Sequence, residues 1–373
     1  MAKLPAVLTH TLPCRHGQQI GVLTLNAPKA MNAVDLTMVD LIDEALEHWA
    51  TDDTVVAVVM RGAGERAFCA GGDIRKLHRS MLAKGKRQYQ YADAFFASEY
   101  RKNYRVHQFN KPLIAWGQGF VMGGGLGLFI AANHRIATPS IHLAWPEVRI
   151  GLFPDVAASY YLSRLPYPLG HWLGLTGSAM NATDCKAFGF TQYVCAEEGW
   201  ETLLAGLVEQ PWQANRAENH ALVRRLIRSQ ELPNDLCPDS RVEPIWDDLN
   251  TVFAENDLVA IDRALRTHSN ESHWWKTGVQ QYLKGCPATA ALIMVQLERG
   301  QRMSLKEVVQ WELILAWQAV RHPDFTEGIR ALVLDKDGQP NWQHAHVSTV
   351  TESWLVELQR SPWTTQNHPF LDL

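Results

Sequence analysis

The order of apolar segments along this chain predicts an α/β fold with crossover connections, followed by a mostly α-helical extension. Three observations carry that reading. Ile20–Leu25 (IGVLTL) and Val55–Met60 (VVAVVM) are short, uninterrupted, β-prone runs, and the second has no polar face, as in a strand covered on both sides. Between them Val39, Ile42, Leu46 and Trp49 recur at helical spacing. After about Cys195 the strand signals cease and helical patterns take over.

Taken in order, Asn26, Ala27 and Pro28 end the first strand, and a helix should start near Asp35. Leu113–Trp116 predicts a further strand. Gly123-Gly124-Gly125 reads as a glycine-rich turn that opens a short apolar helix through Leu128–Ala132. Arg135–Ala137 and His142–Trp145 read as short strands. Trp200–Trp275 is helical in pattern, broken by polar stretches such as Pro233-Asn234-Asp235. In the last third, Thr289–Glu298 is apolar and ends at Gly300, a C-cap signal. Ser304 and Glu307 have capping-box spacing, and Val308, Trp311, Ile314 and Trp317 form an apolar stripe behind them. The polar tail beyond Trp342 predicts loose packing.

Composition narrows the function classes. A chain of 373 residues, 46% hydrophobic, buries a large core without disulfides or metal. Its net charge of −4 argues against nucleic acid or an anionic membrane as partner. No apolar run approaches the roughly 20 residues that span a bilayer. Residues 1–17 have neither the apolar stretch of a secretory signal nor the Arg-rich, Ser-rich character of a mitochondrial transit peptide, so cytoplasmic residence is the expectation. The six cysteines are scattered with no Cys-x-x-Cys pair and read as reduced thiols. The histidines offer no ligand set, and His10, His16 and His368 read as surface residues, so no metal is expected.

Three segments can carry chemistry. Phe68-Cys69-Ala70-Gly71-Gly72-Asp73-Ile74 lies just beyond the strand Val55–Met60, and Gly119-Phe120-Val121-Met122-Gly123-Gly124-Gly125 lies beyond the next one. Small residues there let backbone come close to a ligand, and amides from two such loops can stabilise developing negative charge as an oxyanion hole. Either cluster alone reads better as a tight turn. The third segment, Trp145-Pro146-Glu147-Val148-Arg149-Ile150-Gly151-Leu152-Phe153-Pro154-Asp155, sets two carboxylates around an apolar stretch. Acids in such surroundings have raised pKa values suited to proton transfer, and two neighbouring acids can divide the roles. Alone, they read as two solvated acids.

Together, in this order and spacing, the segments resemble the crotonase (enoyl-CoA hydratase/isomerase) superfamily. Phe68–Ile74 resembles its first oxyanion loop, Gly119–Gly125 its second, and Pro146-Glu147 with Ile150-Gly151 and Pro154 its active-site turn. Leu25-Asn26 through Met31-Asn32-Ala33 is similar to its opening. Asp324-Phe325, Glu327-Gly328-Ile329-Arg330 and Asp335-Lys336-Asp337 resemble the C-terminal block of the 3-hydroxyisobutyryl-CoA hydrolase branch. The implied fold is a spiral of ββα repeats with a mostly helical C-terminal extension. Its implied divisions are a core over residues 1–200, a helical insertion or extension over 201–285, and a helical region over 286–373 that completes the fold.

By the same resemblance, Gly72 and Gly124 supply the oxyanion amides and Glu147 is the principal carboxylate. The second acid of the hydratases falls at Gly127 and is absent, while Asp155 stands where hydratases commonly have glycine. That exchange is the pattern of the hydrolase branch. Glu99, in Phe95–Tyr100, is implied on the acyl side of the substrate. Phe68, Ala70, Gly71 and Asp73 are implied at the coenzyme A side, whose adenine end would lie near the backbone of Phe68–Gly72. Coenzyme A is then part of the substrate, so no separate cofactor is implied. The partners are an acyl-CoA substrate and, in some form, a second copy of the chain. One departure is Asp155-Val156-Ala157-Ala158, where the branch usually reads Asp-Val-Gly-Gly; the added methyl groups could narrow the acyl pocket.

The implied reaction is hydrolysis of a short 3-hydroxyacyl-CoA of valine degradation, with Glu147 as base or as nucleophile and Asp155 as its partner. Two rivals remain. An enoyl-CoA hydratase or isomerase needs an acid near position 127. A crotonase-like binding or RNA-associated module needs neither carboxylate, and the acidic balance speaks against it.

Overall fold

The structure, a computed structural model, describes residues 5–373. Strands and helices alternate in the first half: β1 (Val7–Pro13), β2 (Gln19–Leu25), α1 (Leu36–Thr51), β3 (Val55–Gly62), β4 (Ala67–Cys69), α2 (Ile74–Met81), α3 (Gln90–His107), β5 (Leu113–Gly117), β6 (Phe120–Met122), α4 (Gly123–Ala131), β7 (His134–Ala137), β8 (His142–Ala144), α5 (Ala158–Leu162), α6 (Leu169–Thr176), α7 (Ala182–Ala187) and β9 (Tyr193–Val194). Helices follow: α8 (Gly199–Val208), α9 (Arg216–Arg228), α10 (Trp246–Val252), α11 (Leu258–Thr267), α12 (His273–Lys284), α13 (Pro287–Gly300), α14 (Leu305–Ala319), α15 (Pro323–Ile329) and α16 (Glu352–Leu358). A six-stranded sheet has the order β1-β2-β3-β5-β7-β9, and a three-stranded sheet the order β4-β6-β8. Only β1 runs antiparallel in the larger sheet; every other pairing is parallel and spans a crossover. The predicted α/β class and helical second half are therefore what the chain forms.

The chain divides into two compact units. The first comprises residues up to Gly72, Lys102–Leu143 and Met180–Ser240. Its core is the large sheet, with β3 at the centre and Val55–Met60 buried throughout. Val22, Val59, Ile114, Trp116 and Ile136 pack with Trp200, Leu203 and Val223 of α8 and α9. Asp35 caps α1 by accepting from the Met38 amide at 2.9 Å, and α1 buries Val39, Ile42, Leu46 and Trp49, the predicted stripe. Asn32 is fully buried. Its Oδ1 accepts from the Ala27 amide, and its Nδ2 donates to the carbonyls of Ala63 and Ala67, so it pins the entry to β4.

The second unit comprises Asp73–Arg101, Ala144–Ala179 and from Arg241 onward. Here α6 packs on α12 and α13, with Trp172 stacked on Trp275 at 4.7 Å. The capping box at Ser304 and Glu307 is present as predicted.

Four expectations are corrected. Gly123–Gly125 is not a turn before α4 but its first three residues. Gly300 is the last residue of α13 rather than a left-handed cap; it is glycine because a Cβ there would lie 2.0 Å from the Ser159 carbonyl oxygen. On α14, Ile314 and Trp317 are only partly buried, and Glu312 joins Val308, Leu315 and Ala316 on the packed face. The tail does not pack loosely, since Phe370 is completely buried under Arg101. His368 is likewise tied in, accepting from the Phe370 amide at 3.1 Å. Among the described residues no helix is long and apolar enough to cross a membrane, and no cluster of His, Cys, Asp and Glu could hold a metal ion.

Candidate active site

In the first unit, the two glycine loops leave the sheet side by side. β4 and β6 pair in parallel, Ala67 opposite Phe120 and Cys69 opposite Val121. The loop after β4 is pinned to the segment after Asn32: the Ala70 amide donates to the Met31 carbonyl at 3.0 Å, and the Val34 amide to the Gly71 carbonyl at 2.8 Å. Gly71 has φ +110, open only to glycine at small cost, and a Cβ there would come within 3.8 Å of the Gly124 nitrogen. A Cβ on Gly125 would fall 2.5 Å from Cys69. These close approaches set Gly72 and Gly124 on adjoining loops. Gly124 lies in the first turn of α4, where amides have no helical carbonyl to bond. Phe68 is buried edge-on against Phe129 at 5.6 Å and Ala70 is half-buried. Phe68, Ala70, Gly71, Gly72 and Gly124 thus come together.

The second unit gathers the acids. Pro146 leads into a single 3₁₀ turn, Glu147–Ile150, that closes on left-handed Gly151. Glu147 is buried at its start, and one of its carboxylate oxygens has no hydrogen-bond partner among the described residues. Burial raises its pKa well above the usual range, and the negative charge of Asp155 raises it further, with Glu99 and Glu312 adding to the effect. Asp155 is buried too, and burial pushes its carboxyl up to about 7 against the opposing hydrogen bond from the Tyr100 hydroxyl at 2.8 Å. Glu99 is 1% exposed on α3 beside Tyr100. Asp73 does not join this group; its side chain caps α2, accepting from the Lys76 amide at 3.2 Å.

Two members were not legible as site residues. One is Tyr100, the donor to Asp155. The other is Glu312 of α14, fully buried, which accepts from the Ala157 amide at 2.6 Å and the Ser159 amide at 2.9 Å. Burial lifts its carboxyl to about 8 even though those bonds favour the charged form. The helical period of α14 gave no signal for it, because the predicted stripe ran through Ile314 and Trp317 rather than through position 312. Between Asp155 and α5, Val156 and Ala157 have φ +52 and +71. Each left-handed residue with a side chain costs about 1 kcal/mol or more.

A group of buried acids beside one another cannot all be ionised. It holds protons close to neutral pH and can take or give one as charge changes nearby. The Tyr100 bond favours the ionised form of Asp155, and the Glu147 and Asp155 carboxyls titrate together.

Comparison with known proteins identifies the family. Residues 20–358 match the family model described as enoyl-CoA hydratase/isomerase. The chain is 32% identical over 365 residues to a protein of Danio rerio named 3-hydroxyisobutyryl-CoA hydrolase, mitochondrial, covering 95% of this chain and 93% of that one. It is 33% identical over 338 residues to the Homo sapiens protein of the same name, covering 90% and 84%. Those names set the relatives in mitochondria and lend no support to the cytoplasmic expectation. Among solved structures, an enoyl-CoA hydratase from Rhodobacter sphaeroides 2.4.1 superposes with a TM-score of 0.82 at 32% identity, over 96% of this chain and 98% of that one. A carnitinyl-CoA dehydratase from Mycobacterium thermoresistibile gives 0.81 at 28%, over 94% and 96%. The chain belongs to the enoyl-CoA hydratase/isomerase family.

Proposed function

We propose that this chain hydrolyses the thioester of a short 3-hydroxyacyl-CoA, with 3-hydroxyisobutyryl-CoA as its first substrate and 3-hydroxypropionyl-CoA as a second. The observation that carries the reading is the buried pairing of Glu147 with Asp155, coupled with glycine at 127. The names of relatives divide between hydrolases and hydratases, and position 127 decides between them. A hydratase of this family needs a carboxyl there, whereas Gly127 is buried within α4 and has no side chain.

In this reading the substrate carbonyl oxygen is held by the amides of Gly72 and Gly124, each donor contributing about 3 kcal/mol to the transition state. Water adds to the carbonyl carbon, the carbon–sulfur bond breaks, and the thiolate leaves with a proton. Glu147 either takes the proton of the attacking water or attacks first, forming an acyl anhydride that water then opens. Asp155 holds the 3-hydroxyl or the water and relays to the departing sulfur the proton that the water gives up. Phe68, Ala70, Gly71 and Asp73 would serve the coenzyme A portion and Glu99 the acyl side, as the family resemblance implies.

The experiment is a free-thiol assay with 3-hydroxyisobutyryl-CoA. Release of coenzyme A with saturation is expected. Rapid hydration of crotonyl-CoA with no thiol set free sinks the reading.

A further inference from the structure

Asp155 serves the proposed hydrolysis only if the turn that carries it keeps its shape, and that turn is not one the chain adopts freely. Val156 and Ala157 are both left-handed, and neither is glycine. Where the hydrolase branch usually has glycine at the second of these positions, this chain has a methyl group. Something outside the turn must therefore hold it. Two side chains from the C-terminal helices do so. Gln296 of α13 donates its Nε2 to the Pro154 carbonyl at 2.8 Å and to the Ser159 hydroxyl at 2.9 Å. Glu312 of α14 brackets the strained residues with one oxygen on the Ala157 amide and the other on the Ser159 amide, at 2.6 and 2.9 Å.

We propose that Glu312 is a positioning residue of this site: its carboxyl group clamps the Asp155–Ser159 turn in the conformation that aims the Asp155 side chain, and turnover depends on that clamp. The inference rests on the hydrolase reading for its kinetic consequence but not for the clamp itself. Its geometry is specific. The carboxyl group of Glu312 offers a separate acceptor oxygen to each amide, whereas a Gln of the same size has one acceptor oxygen in all. A buried acid on an apolar helix face is costly, so its presence asks for a use, and bonds to both amides supply one. The clamp also accounts for the tolerance of alanine at 157.

The test is Glu312→Gln, which keeps the size but leaves one acceptor oxygen where there were two. Loss of one buried hydrogen bond lowers the ratio of held to released turn roughly tenfold or more. We expect kcat to fall by that factor with KM for the acyl-CoA within about twofold. Hydrogen exchange at the Ala157 or Ser159 amide should speed up. Ala157→Gly added to Glu312→Gln should restore most of the lost kcat, because glycine adopts the left-handed conformation unaided; Ala157→Gly alone is the reference. A merely structural role would not give that selective rescue. A folded Glu312→Gln protein with kcat within twofold of the parent overturns the proposal, and so does a double variant that folds but stays tenfold slow. If the single variant does not fold, a double variant that folds and turns over normally supports the clamp. Amide exchange is read without substrate, so it judges the clamp even if the parent frees no thiol. Unchanged exchange at both amides then overturns it.

Discussion

Tyr100→Phe removes one oxygen, and its consequence can be worked from the site. The hydroxyl donates to Asp155 at 2.8 Å, and both residues are 3% exposed or less. A hydrogen bond to a charged group is worth about 1.5–3 kcal/mol. Because it stabilises the ionised carboxylate, removing it raises the pKa, by roughly 1–2 units at about 1.4 kcal/mol per unit. Asp155 starts at about 7, so the acidic limb of the pH–rate profile should move to roughly pH 8–9. At pH 7 the ionised fraction then falls from about half to about a tenth or a hundredth, and kcat/KM falls about 5–50-fold. At pH 9 most of the loss should be recovered. The limb belongs to the Glu147–Asp155 pair rather than to one group, so its midpoint is read as an apparent value. The assay is thiol release between pH 5.5 and 9.5, corrected for spontaneous hydrolysis. A profile that overlays the parent's, or shifts to lower pH, refutes the reasoning.

Glu147→Gln should lower kcat by about 10²–10⁴-fold with KM little changed, because the group acts on reacting atoms; steady-state kinetics on folded protein check this, and near-normal turnover removes the main support for the hydrolase reading. Stability should peak between about pH 5 and 6. Above it, Asp155 and Glu312 titrate at about 7 and 8 in the folded protein, against about 4 when unfolded, so the stability their retained protons contribute is lost as pH rises through those values. Below it, His134 and His171, lowered to about 3 and about 4 by burial, favour the unfolded chain as it takes up protons. A melting temperature that climbs from pH 7 to 9 contradicts this. Gly125→Ala places a methyl 2.5 Å from Cys69 and should destabilise by about 1–3 kcal/mol, read as a lower denaturation midpoint at unchanged slope.

The parts of this fold that were legible in sequence are those fixed by local pattern. Val55–Met60 has no polar face and sits in the middle of a sheet. Asp35 and Ser304 cap the helices they precede, Ser304 in a box with Glu307 of the first turn. The glycine loops and the Glu147 turn were legible because backbone that must come close to something needs small residues at set intervals. Long-range partners were not. Glu312 meets Ala157 and Ser159 across separations of 155 and 153 residues, and nothing in a helical period says which acid on a helix will face inward. Tyr100 read as one more aromatic of α3 because its use depends on where Asp155 falls, 55 residues on. The tail misled because one phenylalanine in a polar stretch gives no period to read.

That buried phenylalanine bears on how the protein should be handled. Arg101 follows Glu99 and Tyr100 on α3. Its guanidinium lies over the Phe370 ring at 5.2 Å and grips both carboxylate oxygens of Asp372, at 2.6 and 2.9 Å. Gln310 of α14, two residues before Glu312, donates to the Phe370 carbonyl at 2.8 Å. Residues 370–373 therefore act as a latch on the two helices that supply Tyr100 and Glu312. A chain cut at His368 would lack it, and a preparation trimmed there with poor turnover says more about the trimming than about the chemistry.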